Sequence, residues 1–362
     1  ILYAVKCRTK GAKTSPDSAD RTRRRLTFRP VLRHAGRVNP LLGSILNAGR
    51  KNSRFFYYGR NLLRFAVPAG LCRRRLDDLL RAAWQEHDAE IFDRVDYCNR
   101  ISRPFELGPD VEPFRFTLAR GFRNYYMDLH EYLRYFDPHL RLLHRFGDET
   151  AVPARPTLVK ARPIAGDNEN SVLFNLNKIR HFVFPQDRLA FEDKIDRLVW
   201  RGSAFQENRK QFLARYHDHP RCDVGHAHRG TSPVPWRKAY LPIAEQLKCK
   251  FILSIEGNDV ASNLKWILAS NSLCFMARPR RETWFMEGRL VPGRHYVLLA
   301  DDHADLEEKM AHYAAHPEEA REILRHAQAH VARFRNPARE RLVALLVLQK
   351  YFERSGQRPP LA

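Results

Sequence analysis

One stretch of the 362-residue chain, residues 250–296, combines residue types that bind anions. The apolar run at residues 251–255 predicts a buried strand, and a glycine turn and a helix start follow it. Free backbone N–H groups and the positive end of a helix dipole converge at such a turn, so the stretch predicts a site for a phosphate-bearing ligand. The candidate binding residues are Gly257, Ser262 as the helix N-cap, Asn263 and Lys265.

The same order of strand, glycine turn and helix occurs earlier, in residues 197–216. Its candidate binding residues are Arg201, Gly202 and Ser203 in the turn and Arg209 on the helix. A third strand, predicted at residues 140–146, ends in a turn that contains Asp148. An acid at the carboxyl end of a strand lies where open α/β sheets bind their ligands. Strands that alternate with helices in both halves predict a doubly wound α/β architecture.

Cationic residues concentrate between the strand predicted at residues 140–146 and the one near residue 197. They alternate with apolar residues, so part of this run faces inward or into a cleft. These residues are Lys160, Arg162, Lys178, Arg180 and His181. A nearby acidic pair, Asp167 and Glu169, is the closest match to a metal-binding DxD motif, which the chain lacks. We therefore predict no metal site. A zinc site remains an alternative, formed by His217, His219, Cys222, His226 and His228 at a spacing that matches no standard finger.

Composition narrows the class of protein. Six cysteines without a CxxC pair suit a reducing compartment better than a disulfide framework. No run approaches the ~20 apolar residues that span a bilayer. Residues 1–60 hold fifteen Lys or Arg and two Asp, so +13 of the net charge of +22 lies there. We predict that residues 1–54 form a disordered basic arm.

Longer patterns resemble glycosyltransferase family 90. They are G-(x)4-S-N-x-K-W from Gly257, E-x-W-F from Glu282, L-x-P-x-x-H-Y-V from Leu290, and the turn LVWRGS with its downstream Arg209. The family includes bacterial lipopolysaccharide core transferases of the LpsA type, fungal capsule transferases and eukaryotic protein O-glucosyltransferases. The segment LVKARPI…NSVLFNLNKIRHF is most similar to the bacterial branch. The resemblance covers roughly residues 55–351 and leaves the basic arm outside.

The resemblance implies a GT-B fold, in which two Rossmann-like domains face each other across a cleft. We predict an acceptor-side α/β domain at residues 55–195, a nucleotide-sugar-binding α/β domain at 196–335 and a C-terminal helix at 336–355. The implied reaction transfers glucose or galactose from a UDP-sugar to a lipopolysaccharide or lipooligosaccharide core sugar, with inversion. No cofactor is expected, since the UDP-sugar is a co-substrate. The expected location is the cytoplasm, with possible peripheral contact with the bacterial inner membrane.

The resemblance also suggests roles for individual residues. Asp148 falls where related O-glucosyltransferases carry the catalytic aspartate, so it is the candidate general base. Its neighbour Glu149 is an alternative base, and Asp148 as a simple turn cap is another. The candidate diphosphate ligands are Arg201, Ser203, Ser262, Asn263 and Lys265, although eukaryotic relatives commonly carry Arg at the position of Asn263. Glu282 and Glu287 are candidate acceptors for sugar or ribose hydroxyls.

Two other functions remain open at this stage. A basic nucleic-acid-binding protein acting through residues 1–60 would explain the charge, but the chain contains no RNP, KH or zinc-finger signature. A catalytically inactive relative that only binds glycan is the other, and the loss of the base would reveal it. Asp148 is present, so transfer is the favoured prediction.

Overall fold

The computed structural model describes residues 54–117, 121–148, 150–227 and 234–361. Three predicted features lie wholly or mostly outside these residues: the basic arm, the alternative base Glu149 and the possible zinc ligand His228. The helices are α1 (Arg54–Ala66), α2 (Ala69–Glu86), α3 (Ala89–Cys98), α4 (Arg123–Leu133), α5 (Lys178–His181), α6 (Glu207–Tyr216), α7 (Ile243–Gln246), α8 (Leu264–Leu268), α9 (Leu306–Ala315), α10 (Pro317–Ala332) and α11 (Pro337–Arg354). The strands are β1 (His144–Arg145), β2 (Thr157–Val159), β3 (Ala161–Pro163), β4 (Ser171–Leu173), β5 (Ile195–Gly202), β6 (Cys222–His226), β7 (Cys249–Leu253), β8 (Leu273–Met276), β9 (Arg281–Thr283) and β10 (Val297–Leu298).

Five parallel strands form the larger sheet, in the order β10-β8-β7-β5-β6. Its central strands are buried on both faces, which is why β8 and residues 251–253 of β7 are apolar, whereas Lys250 near the start of β7 is only half-buried. Successive side chains of a strand point to opposite faces. Accordingly, Phe251 lies in a core shared with α6, α9 and α10, whereas Ile252 lies in a core shared with α8 and α11.

Three short parallel strands form the smaller sheet, in the order β1-β2-β4. The antiparallel pair of β3 and β9 places Arg162 opposite Glu282 and so joins the two halves of the chain. Leu158 of the smaller sheet belongs to the same hydrophobic core as Ile252 of the larger one. The long helix α11 returns to pack against α2, α3 and α4. The prediction of an α/β protein with parallel sheets is therefore confirmed.

One local prediction was confirmed in part and another was wrong. Within the strand predicted at residues 140–146, β1 covers only His144–Arg145, and Arg141 forms an isolated bridge to Pro113. Ser262 is not the N-cap of α8; Asn263 occupies that position without a side-chain cap bond, because its amide Nδ2 donates to the carbonyl of Leu253 at 2.8 Å. Asn263 thus fastens the start of α8 to the end of β7, and Ser262 lies half-buried in the turn before it.

Among the described residues, no helix combines the length and the apolar character that crossing a membrane requires.

Candidate functional site

A cleft opens at the carboxyl ends of β7, β8 and β10, the edge at which open parallel sheets bind ligands. Loops that follow these three strands line it, together with the start of α8. Its polar lining includes Asn208, Ser254, Glu256, Arg278, Arg280, Glu287, Asp301 and His303. These side chains are neighbours of the predicted binding residues, not those residues themselves. Gly257, Ser262, Asn263 and Lys265 are adjacent in sequence to lining residues such as Glu256, Ala261 and Leu264.

Arg209 connects the two glycine turns beside this cleft. Its guanidinium donates from Nη1 to the carbonyl of Ser203 and from Nη2 to that of Ile255, each at 2.8 Å. A Cβ built on Gly257 would lie 3.0 Å from Nη2, so glycine permits this close approach. Burial lowers the pKa of Arg209 to about 10, and its buried Nε has no hydrogen-bond partner within the described structure. Three predicted residues, Ser203, Arg209 and Gly257, are thus brought together, with one donor left over.

Arg201 points to a neighbouring strand. Its Nη2 lies 2.7 Å from the carboxylate of Asp223 on β6, and Nη1 donates to the backbone carbonyl of the same residue at 2.7 Å. Nε donates to the carbonyl of Ala239 at 3.2 Å. The sequence predicted a guanidinium free to bind a diphosphate. The structure instead gives it partners inside the protein, because β5 and β6 are adjacent and Asp223 supplies a counter-charge.

Gly202 is required by packing. A Cβ at this position would lie 2.6 Å from Cζ2 of Trp200, whose ring is buried. We expect Gly202→Ala to lower the free energy of unfolding by about 1–3 kcal/mol, because a buried indole cannot move aside cheaply. Urea denaturation measures this. Gly70→Ala on α2 is the matched control, since no atom lies within 4 Å of its Cβ; an equal loss in both variants would contradict the packing explanation.

Lys265 is completely buried, contrary to the open ammonium that the sequence predicted. Its Nζ lies 2.5 Å from Oε1 of Glu287, and both side chains have zero exposure. The second oxygen of Glu287 accepts a hydrogen bond from the backbone N–H of Thr283 at 2.6 Å. The pair lies directly behind the cleft, since Glu287 is one of its lining residues. The charge of Lys265 is therefore neutralised before it reaches a ligand.

Glu282 is likewise buried in an internal network. Its Oε1 lies 2.7 Å from Nε of Arg162 and 3.5 Å from Nη2 of Arg100, while Oε2 accepts from the hydroxyl of Tyr97. Burial, with this carboxylate alongside, raises the pKa of Tyr97. The predicted role as a hydroxyl acceptor does not fit this position, because the carboxylate already has three protein partners and no exposed surface.

Asp148 is held at the other side of the site by Lys160, which sequence reasoning had only counted among the local cations. The ammonium of Lys160 pairs with Asp148 and, at 2.6 Å, with Oδ2 of Asp259 in the Gly257 turn. Lys160 is 2% exposed and Asp148 is 30% exposed. Burial alone lowers the pKa of Lys160, but the carboxylates outweigh it and raise that pKa. The candidate base and the candidate anion turn are therefore adjacent through one buried cation.

The sequence predicted that His181 is one of the cations of the segment 160–181. Its position in the structure shows that this prediction was wrong. The ring is 3% exposed, and neither ring nitrogen has a hydrogen-bond partner within the described structure. Burial, followed by the charges of Lys265 and Lys160, holds its pKa well below the ordinary range. The imidazole is neutral at physiological pH, and the positive charge here comes from the lysines and arginines.

Comparison with known proteins decides the family. The profile described as glycosyl transferase family 90 matches residues 176–342. The chain is 46% identical over 300 residues to the O-glucosyltransferase LpsA of Dichelobacter nodosus, an alignment that covers 82% of this chain and 94% of that protein. The chain belongs to glycosyltransferase family 90.

As a family 90 member the protein is an enzyme, a glycosyltransferase. The residues matched by the family profile contain all the predicted donor-binding positions, from Arg201 to Glu282, whereas Asp148 lies before them. Asp148 is linked to the residues matched by the profile because Lys160 pairs with both Asp148 and Asp259. This link is visible only in the folded chain.

The zinc alternative finds no support among the described residues of this family 90 enzyme. Nε2 of His219 lies 3.2 Å from Glu307, and Nδ1 of His226 accepts from the backbone N–H of Ala204 at 2.9 Å. Cys222 is buried in β6. The histidine-containing cluster with ligand geometry in the described part of the chain lies elsewhere, at His312, His316 and Glu319. Glu169, from the acidic pair closest to a DxD motif, accepts hydrogen bonds from the backbone N–H and the hydroxyl of Ser102.

Proposed function

We propose that this glycosyltransferase transfers a hexose, glucose or galactose, from a UDP-sugar to a core sugar of lipopolysaccharide or lipooligosaccharide. The observation that carries the proposal is the partly exposed Asp148 carboxylate, joined through Lys160 to the Gly257 turn beside the cleft. Such a carboxylate is placed to take the proton of an acceptor hydroxyl while the donor diphosphate binds at the turn. The name of the D. nodosus relative, an O-glucosyltransferase, supports a hexose donor.

The donor site that we propose is built from backbone and from one arginine. The diphosphate lies at the Gly257 turn and the start of α8, where Ser262 is half-buried, and the guanidinium of Arg209, which joins the two glycine turns, supplies positive charge beside it. Arg201, Lys265 and Glu282, whose partners lie within the protein, hold the surrounding strands and turns in place. Their proposed contribution to donor binding is therefore indirect.

The mechanism that we propose is a direct displacement. The acceptor oxygen attacks the anomeric carbon as Asp148 takes its proton, and the diphosphate leaves with the bond electrons. One displacement inverts the anomeric centre, so an α-linked donor yields a β-linked product. We further propose a GT-B arrangement, no metal requirement and no cofactor, and a location in the cytoplasm at the inner face of the bacterial inner membrane.

A transfer screen tests the proposed function. The purified protein is incubated with each UDP-sugar and a heptose-bearing core acceptor, with added EDTA or added Mn²⁺ in parallel. We expect acceptor-dependent consumption of UDP-glucose or UDP-galactose, a β-linkage by NMR, and the same rate in EDTA because arginine and backbone donors serve the leaving group. If no UDP-sugar binds at millimolar concentration, the proposed function is wrong. An α-linked product rejects single displacement, and a need for Mn²⁺ rejects metal independence.

A further inference from the structure

Exposed apolar side chains concentrate at the first described helix. Fifteen large apolar side chains are exposed among the described residues, and eight of them lie between residues 55 and 71. We define the outer α1 face as six of these residues: Phe55, Phe56, Leu62 and Leu63 on α1, Val67 just after it, and Leu71 at the start of α2. Leu62 and Leu63 are 71% and 73% exposed. An apolar concentration of this kind marks an interaction surface.

The amphipathic pattern of α1 is inverted relative to that of a surface helix. The side that faces the protein is polar: Tyr57 is buried and donates from its hydroxyl to Asp128 at 2.8 Å, and the buried Asn61 bonds the carbonyl of Tyr57. Arg64 pairs with Glu131 at 2.5 Å. A helix on a water-facing surface normally turns its apolar side inward. α1 is fixed to α4 by these polar contacts and by the ring of Phe65, which stacks on His130 at 4.8 Å, so the remaining apolar side chains are directed outward.

Charge distinguishes between the possible occupants of this face. Residues 54–76 contain six arginines and no aspartate or glutamate. Arg64 pairs with Glu131, and a second copy of the chain would bring the other five arginines into opposition. The preceding segment, residues 1–53, contains thirteen Lys or Arg against two Asp, and would be repelled for the same reason. A surface that is both apolar and anionic matches this face.

We propose that the outer α1 face docks on an anionic lipid bilayer. The leucines and phenylalanines enter the boundary between headgroups and acyl chains, and the arginines meet lipid phosphates. The proposal names the docking surface and the lipid chemistry for the peripheral contact, and it rests on the proposed function only in assuming that the acceptor is carried by that bilayer.

The docking helix and the site share one supporting helix. α4 binds α1 through Asp128 and Glu131, and its Tyr125 ring packs at 5.3 Å from Phe146, two residues before Asp148. Asp128 also accepts the backbone N–H of Lys178, at the start of α5. Lipid docking therefore fixes the element against which the acceptor side of the site is built.

Vesicle sedimentation of the full chain tests the proposal. Vesicles of phosphatidylglycerol and phosphatidylcholine are compared with vesicles of phosphatidylcholine alone, with no sugar donor present. We expect binding to the anionic vesicles, and a fall in the partition coefficient of about tenfold or more for Leu62→Ser/Leu63→Ser, because the buried apolar area is lost. The matched control is Leu189→Ser/Val291→Ser, two exposed apolar residues elsewhere, which should bind as the wild type does.

Each contrary result overturns the proposal. Unchanged anionic binding by the Leu62→Ser/Leu63→Ser variant would mean that the basic segment alone attracts lipid, and equal binding to neutral vesicles would remove the role of charge. A dimer in sedimentation velocity that this variant abolishes would make a second copy the occupant. UDP-sugar binding in solution is measured on the same variants. Since it does not involve α1, it reports on the proposed transfer reaction separately from docking.

Discussion

Asp148→Asn should lower kcat by about 10²–10⁴ while the affinity for the UDP-sugar changes little. The amide keeps the shape of the turn but accepts no proton, so deprotonation of the acceptor is lost and donor binding is not. The fold should tolerate the change, because Lys160 keeps Asp259 as its counter-ion at 2.6 Å. Steady-state transfer kinetics and donor titration by calorimetry measure the two quantities separately.

Asp259→Asn is the matched control, since it removes the other carboxylate that pairs with Lys160. If proton acceptance is the role of Asp148, the Asp259 variant should retain far more turnover. An equal loss in both would show that the ion-pair network, not the base, limits the reaction. Normal turnover by Asp148→Asn would remove Asp148 from the mechanism and make Glu149, outside the described residues, the next carboxylate to replace.

Lys265→Met should destabilise the protein by about 3–5 kcal/mol, because it leaves the carboxylate of Glu287 buried without a counter-charge. Urea denaturation followed by tryptophan fluorescence measures the free energy of unfolding. Replacing both partners, Lys265→Met with Glu287→Gln, should recover most of this loss, since no charge is then left buried. The comparison of single and double variants isolates the ion pair from the change in packing.

The same variants decide between a structural and a ligand-binding role for Lys265. A lysine that contacts the diphosphate directly would lose about 1.5–3 kcal/mol of UDP affinity in Lys265→Met while stability stayed near that of the wild type. The buried pair predicts the reverse order of effects. Arg335 is exposed and lies 70 residues after Lys265 in the sequence, so Arg335→Met is the control for the loss of one positive charge.

Local patterns predicted the elements of the fold well. The apolar runs within β7 and β8 could be found because strands buried on both faces consist mostly of apolar residues. The glycine turn after β7 was also found, since its spacing to α8 is short. The N-cap was missed because Asn263 and Ser262 are both good caps, and a tertiary bond from Asn263 to the carbonyl of Leu253 decides which one holds the position.

The sequence by itself determined the class of the chain, the order of its elements and the family to which its motifs belong. These follow from short-range spacing and from residue type, which can be read from the sequence without knowledge of the fold. Which charges stay open to a ligand was decided only by the tertiary structure. Lys265, Arg201 and Glu282 have the residue types of a phosphate or sugar site, yet each finds an opposite charge 22 to 120 residues away in the chain. Burial makes an unpaired charge costly, so the fold pairs those residues with opposite charges, while the Asp148 carboxylate stays partly exposed.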